Sequence, residues 1–338
     1  MHPTFPSIEA SARTPADRRS VPRGGRRARN LALAAVLAAG AAAAAGYGAS
    51  SLAPTTRAVA SVSKAPVAVA TAPVRVISTV RGDVAYRSVG SGPPLVLIMG
   101  LGSSMEDWAP SLVDRLARTH RVVIFDNAGI GMTAAVPGTL TISAMADQTS
   151  ALIAALGLGR PDVLGWSMGG LIAQALVVRH RNRVHRLVLA ATQPGNGKAK
   201  PIPAKVEHIL ATATAEQFLA LLFPADQQAA LKAYADGISA YSDRATVPDA
   251  VFGAQSGALG GWLGGSEPAG HKVSASTVRT LIADGRKDAF NPLANSKMLA
   301  KLFHRSTLQL YADAGHAFLF QDHVKFAGSV NAFLAAKS

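Results

Sequence analysis

Hydrophobic and polar positions follow one rhythm over most of the chain and break it once. From residue 74 onward, short aliphatic and β-branched runs alternate with stretches of helical period. Residues 74–80 and 84–89 predict a hairpin turning around Gly82, and PLVLIMG at 94–100 is an uninterrupted apolar run, as expected of a strand buried on both faces. A helix over about 108–119, a strand at 121–126, a helix over about 142–156, a strand at 161–166, a helix over about 168–180 and a strand at 186–192 follow. Strand, helix, strand in this order implies right-handed crossovers and a parallel sheet.

Between about 193 and 274 the rhythm stops. Helical pieces such as VEHILATA and AEQFLALLF and the glycine-dense FGAQSGALGGWLGG carry no convincing buried strand. The alternation then resumes with a strand at 278–284, a helix over about 292–302, a strand at 306–313 and a closing helix over about 323–335. The expectation is an α/β core, residues 74–192 and 275–338, interrupted by a helical cap at 193–274.

The N-terminal part follows neither rhythm. Residues 1–30 are polar and arginine-rich, and LALAAVLAAGAAAAA at 31–45 is wholly apolar and leads into small residues. A basic flank, an apolar stretch and small residues form the pattern of an export signal. Because the apolar stretch continues to about residue 53, a membrane anchor is the alternative. Residues 1–53 are thus expected to direct the protein out of the cytoplasm, secreted or held in the cell envelope, and residues 54–73, rich in Ala, Pro, Val, Thr and Ser, to form a flexible linker.

Composition narrows the function classes. Of 338 residues, 49% are hydrophobic and 16% charged, which indicates a globular protein with a sizeable core. The net charge of +14 is unevenly spread, with eight arginines in the first 57 residues against Glu9 and Asp17. Elsewhere no Lys/Arg run is interleaved with aromatics, so no nucleic-acid partner is expected, and the excess reads as solvated surface with room for weak attraction to anionic lipid or polymer. The absence of cysteine removes disulfides, cysteine-based metal sites and a cysteine nucleophile.

Candidate chemistry begins at GWSMGG, residues 165–170. Such a stretch can be a glycine-rich turn, but Ser167 directly follows a predicted buried strand and precedes a predicted helix, where a sharp turn would hold its hydroxyl above the sheet edge. Gly165 and Gly169 suit a turn too tight for side chains. A serine nucleophile needs a base, and His316 in YADAGHAFLF lies beyond the last predicted strand, at the same sheet edge. The imidazole needs a carboxylate to fix its tautomer. In ADGRKDAFNP, Asp288 lies out in the loop whereas Asp284 belongs to the strand end; Asp313, three residues before His316, is the runner-up. The oxyanion requires N–H donors, expected from the backbone of Met168 and from GLGSS, with Leu101 first and Gly102 second. No metal or organic cofactor is required.

With the order Ser167, Asp288, His316 on an interrupted parallel sheet, the sequence resembles the α/β-hydrolase superfamily over about residues 74–338. LIMGLGSSMEDW, FDNAGIGMT, GWSMGG, GRKDAFNP and AGHAF match its motifs together, most closely those of small-molecule esterases and cofactor-free haloperoxidase-like hydrolases. Two positions depart from the pattern. Met99 stands where the family often has His, and Ala128 where it often has an Arg that orders the neighbouring loop. The resemblance implies a mostly parallel central sheet flanked by helices, with a helical cap roofing the site. Ser167 excludes the dehalogenases and epoxide hydrolases of this fold, which use Asp. The expected activity is hydrolysis of a small-molecule ester with an apolar acyl group, whose pocket would draw on Phe218, Leu221, Leu222, Phe223, Phe252 and Trp262 of the cap. A carbon–carbon bond hydrolase or perhydrolase on the same triad, or a ligand-binding module of the same fold, are the alternatives.

Overall fold

In a computed structural model, which describes residues 68–210 and 214–336, eight strands join into one sheet. They are β1 (Arg75–Thr79), β2 (Gly82–Val89), β3 (Pro94–Ile98), β4 (Arg121–Phe125), β5 (Asp162–Trp166), β6 (Arg186–Ala190), β7 (Arg279–Gly285) and β8 (Ser306–Tyr311). Their spatial order is β1-β2-β4-β3-β5-β6-β7-β8, with β1 and β2 antiparallel to their neighbours and every other pair parallel. The apolar run at β3 has the predicted cause. Leu95 and Leu97 enter the core on one face of the sheet, while Val96 and Ile98 enter a second core on the other.

Helices cover both faces: α1 (Pro110–Leu116), α2 (Ile142–Ala155) and α3 (Met168–Arg179) follow β3, β4 and β5. Between β6 and β7 come α4 (Ala204–Leu210), α5 (Ala215–Leu222), α6 (Gln228–Ile238) and α7 (Asp249–Leu263), and the chain closes with α8 (Leu293–Leu302), α9 (Phe318–Gln321) and α10 (His323–Ala335). Thr141 caps α2 by accepting the Ala144 N–H at 3.0 Å. Helix α3 is buried on all sides from Met168 to Val177, so it is apolar all round rather than amphipathic.

Among the boundaries that differ from the sequence expectation, three have a clear local reason. Helix α1 starts at Pro110 rather than 108, because a proline without an N–H fits the first helical position and Trp108 instead closes the short turn Met105–Asp107. Strand β6 stops at Ala190 because Ala191 turns to φ 46°. The fold also begins before residue 74. Val69 is fully buried, its N–H donates to Asp114 Oδ1 at 2.8 Å, and the Ala72 carbonyl accepts from the buried Arg87 guanidinium. The last residues assigned to the linker therefore belong to the core. The apolar segment at 31–53 lies outside the described residues, among which no helix is long and apolar enough to cross a membrane.

Candidate active site

The carboxyl ends of parallel strands open onto one crevice, the usual ligand position in open α/β sheets. Into that crevice the loops after β3, β5 and β8 bring Leu101, Ser167 and His316, and the loop after β7 sets Asp288 against His316. Ser167 is the single residue between 161 and 177 that is not buried. Its backbone has φ 54° and ψ −121°, a region costing an L residue about 1–3 kcal/mol. The surrounding turn holds it there. Ser167 N–H donates to the Ala190 carbonyl at 2.9 Å, and the Ser167 carbonyl accepts from Gly170 N–H at 2.9 Å and Thr192 Oγ1 at 2.8 Å. Both flanking glycines are sterically required: a Cβ on Gly165 would lie 2.3 Å from the Gly169 carbonyl oxygen, and one on Gly169 would lie 2.0 Å from that of Ile98.

His316 is 6% exposed, and its Nδ1 lies 2.8 Å from Asp288 Oδ2. Asp288 is fixed in turn, since its Oδ1 accepts the N–H groups of Phe290 at 2.7 Å and Asn291 at 2.8 Å. A carboxylate only accepts, so Nδ1 carries the proton and Nε2 of the neutral ring is left as the basic nitrogen. The ring sits between Trp166 and Phe290, at centroid distances of 5.6 and 5.0 Å, and Trp166 Nε1 donates to the His316 carbonyl at 3.1 Å.

The two other candidate acids are engaged elsewhere. Asp313 is exposed and lies 3.4 Å from Lys287 Nζ. Asp284 is wholly buried, and its Oδ2 accepts Asn291 Nδ2 at 2.8 Å and Ser296 Oγ. Burial, reinforced by the neighbouring Asp288 charge, pushes the Asp284 carboxyl well above the usual carboxylate range, which favours its protonated form.

Of the two loop N–H groups weighed for an oxyanion, Gly102 is occupied, donating to Gln255 Oε1 of α7 at 2.9 Å. The N–H groups of Leu101 and Met168 meet no acceptor among the described residues, and both residues line the crevice with Ser167. Met168 opens α3, where first-turn N–H groups lack helical partners. Further bonds tie the loop after β3 to the cap. Arg244 Nη2 donates to Asp107 Oδ1 at 2.7 Å, Tyr234 Oη to the Asp107 carbonyl at 3.1 Å, and Tyr241 Oη to the Trp108 carbonyl at 2.9 Å. Beneath the loop, Asp126 Oδ1 accepts Met105 N–H at 2.7 Å and Asn127 Nδ2 donates to the Met99 carbonyl at 3.1 Å. These two bonds tie the segment carrying Ala128, which stands in place of the arginine, to the loop after β3. FDN in the motif FDNAGIGMT was the available signal for these two anchors, although the sequence reading assigned them no part.

Burial pushes the Asp126 carboxyl up to about 7, with Glu106 and Asp107 adding to the rise and the Met105 N–H opposing it. A folded value above the unfolded one means that ionisation opposes folding, so this group's contribution falls as pH rises from about 4 to about 7. Asp126→Asn keeps an acceptor for Met105 and cannot ionise. Its urea midpoint is expected to exceed that of wild type most above pH 7, with the difference shrinking toward pH 4; a difference independent of pH would show that Asp126 ionises normally.

The crevice encloses about 150 Å³. Trp166, Leu171 and Phe290 form its core-side wall, and the cap adds Phe218, Leu219 and Leu222 from α5, Tyr234 from α6, and Leu259 and Leu263 from α7. Of the six cap residues expected to line it, Phe218 and Leu222 do so, one helical turn apart on the same face. Leu221 turns away to pack near Val206 and Ile209. Phe223 packs on Tyr234, while Phe252 and Trp262 are buried and do not line the crevice.

Residues 93–323 match the family described as the alpha/beta hydrolase fold. The chain belongs to that family. Among curated relatives, this α/β hydrolase is 28% identical over 252 residues to the 2-hydroxymuconate semialdehyde hydrolase of Pseudomonas sp. strain CF600, covering 73% of this chain and 88% of that protein. It is 39% identical over 126 residues to a Mycobacterium tuberculosis chain named as a non-heme bromoperoxidase, BpoC, covering 37% of this chain and 48% of that one. Among solved structures, an alpha/beta hydrolase fold protein from Chitinophaga pinensis superposes with a TM-score of 0.70 at 25% identity, over 79% of this chain and 99% of that one. The α/β hydrolase is thus an enzyme whose named relatives carry out several chemistries on one scaffold.

Proposed function

We propose that this α/β hydrolase cleaves a small carboxylic ester through an acyl-enzyme, with Ser167 as nucleophile, His316 as base and Asp288 as its orienting carboxylate. The observation that carries the reading is that His316, held 2.8 Å from Asp288, shares one crevice with the unburied Ser167. His316 Nε2 takes the Ser167 proton as Oγ attacks the carbonyl, and the Leu101 and Met168 N–H groups receive the oxyanion. His316 then returns the proton to the departing alcohol, and water, deprotonated by the same ring, releases the acid and restores Ser167.

The wall chemistry favours an ester over the carbon–carbon cleavage of the muconate-type relative, whose named substrate carries a carboxylate. Asp107 lines the crevice and, among the described residues, no Lys or Arg does, so an anionic substrate would meet no counter-charge from them. A fluorophosphonate probe is expected to label wild type, and a p-nitrophenyl ester series to show a chain-length optimum set by the apolar wall. Failure to label and to cleave any ester would refute the assignment. We also place the enzyme outside the cytoplasm, on the apolar run at 31–45 behind its arginine-rich flank; N-terminal sequencing of the mature protein tests this.

The two buried aspartates separate in the same assay. Asp288→Asn is expected to lower kcat about a thousandfold or more, because an amide can present a donor to Nδ1 and reverse the tautomer. Asp284→Asn, which replaces an acid that favours its neutral form by a neutral amide, is expected to change kcat by less than about threefold. Equal losses would mean that Asp284 is charged and shares the work.

A further inference from the structure

Beyond Ser167 and His316, the polar side chains that line the crevice carry donors that are already taken. Trp166 Nε1 donates to the His316 carbonyl at 3.1 Å and Thr192 Oγ1 to that of Ser167 at 2.8 Å. Gln193 Nε2 donates to the Phe290 carbonyl at 3.0 Å, Tyr234 Oη to that of Asp107 at 3.1 Å, and Ser103 Oγ to that of Leu101 at 3.4 Å. An indole or a hydroxyl has a single hydrogen to give, so Trp166, Thr192, Tyr234 and Ser103 have none left for a ligand. The Leu101 and Met168 N–H groups stay open, and the proposed mechanism uses both for the oxyanion.

Acceptor capacity, by contrast, remains. Asp107 is the one acid lining the crevice among the described residues, and its side chain keeps 17% of its surface open. Its Oδ1 accepts Arg244 Nη2 at 2.7 Å and its Oδ2 the Ser104 N–H at 2.9 Å. A carboxylate offers about four lone-pair positions, so two donors leave it unsaturated. Burial raises the Asp107 carboxyl above the ordinary range against the pull of Arg244 and Ser104, as expected of a charge short of donors. The Arg244 guanidinium already balances that charge, so a neutral donor suits it better than a second cation.

We propose that Asp107 accepts a hydrogen bond from a hydroxyl on the alcohol half of the substrate, which makes the substrate a monoester of a short polyol. The inference rests on the ester reading above and adds the identity of the leaving group. With the apolar wall of the cap given to the acyl chain, the hydroxyl falls to the alcohol half. A crevice with an unsaturated carboxylate and few free donors recognises a hydroxyl by its hydrogen and gives a carbonyl or a carboxylate little to bind.

The test compares kcat/KM of the full-length protein for ethylene glycol monobutyrate, glycerol monobutyrate and propyl butyrate, followed by acid release at constant pH. Ethylene glycol monobutyrate differs from propyl butyrate only by a hydroxyl in place of a methyl group. The better polyol ester is expected to exceed propyl butyrate about tenfold or more, chiefly through a lower KM, because a hydrogen bond to a charged acceptor is at stake. Asp107→Ala should bring this ratio to about twofold or less. Both esters meet the same protein, so general damage to the loop cancels in the ratio. Propyl β-hydroxybutyrate, with its hydroxyl on the acyl half, should gain nothing over propyl butyrate. The proposal is overturned if wild type shows no preference, if the preference survives in Asp107→Ala, or if the acyl hydroxyl is favoured as strongly. The wild-type comparison decides even where the alanine variant does not fold. Cleavage of none of these esters would bring down the ester reading and this inference with it, an outcome that the p-nitrophenyl series reports on its own.

Discussion

Replacing Ser167 by alanine is expected to lower kcat on the preferred p-nitrophenyl ester about ten-thousandfold or more and to abolish fluorophosphonate labelling. In the proposed mechanism the hydroxyl is the group that attacks the probe's phosphorus, displacing fluoride, and would carry the acyl chain, so no neighbour can substitute for it. Folding should survive, because the Ser167 side chain caps no helix and the turn is held through its backbone N–H and carbonyl. The backbone at this position also makes a stability prediction of opposite sign. With φ at 54°, Ser167→Gly is expected to be as inactive as alanine yet about 1 kcal/mol more stable, since glycine occupies this region without the Cβ penalty. Steady-state kinetics and urea midpoints of the two variants read both effects. An alanine variant with wild-type turnover would remove Ser167 from the chemistry, and a glycine variant no more stable than alanine would deny the strain.

The largest loss of stability is expected two residues further on. In Gly169→Ala the new methyl would sit 2.0 Å from the Ile98 carbonyl oxygen and 2.8 Å from that of Met99. Neither is the movable end of a side chain. Ile98 ends β3 and is paired with Gly165 of β5, so the backbone yields only by parting the two central strands. A cost of about 3 kcal/mol or more follows, at the upper end of overpacking effects. Gly253→Ala and Gly257→Ala are the controls. Both glycines are exposed in α7 with nothing within 4 Å of the added carbon, and there alanine should stabilise by about 0.5–1 kcal/mol. A Gly169→Ala urea midpoint close to wild type would mean that β3 and α3 pack less tightly than these distances state.

Gly165 and Gly169 also show how far the sequence could be read. GWSMGG between an apolar run and a helical period already implied a turn without room for a Cβ, because strand, turn and helix are consecutive and their constraints are local. The pairing of Asp288 with His316 was legible for a related reason: both follow parallel strands, and strand direction alone puts their loops on one edge. Contacts between distant segments left no such trace. The sequence placed Leu101 ahead of Gly102 without a local signal for the reason, which is that Gln255, 153 residues away, occupies the Gly102 N–H. Val69 and Ala72 read as linker because their bonds to Asp114 and Arg87 join segments distant in sequence, which no period in their own neighbourhood encodes. In the cap, apolarity was visible but direction was not. Phe218 and Leu221 are equally hydrophobic letters, and only the docking of α5 decides which faces the crevice.

The bonds from Gln255, Arg244, Tyr234 and Tyr241 to residues 102–108 give the cap a second role beyond roofing. An engineer who grafted a foreign cap to change the preferred acyl chain would also cut the struts that hold the segment carrying Leu101. If the proposed mechanism holds, substrate range and turnover are inherited as one module, and selectivity is more safely altered one wall residue at a time, at Phe218 or Leu222.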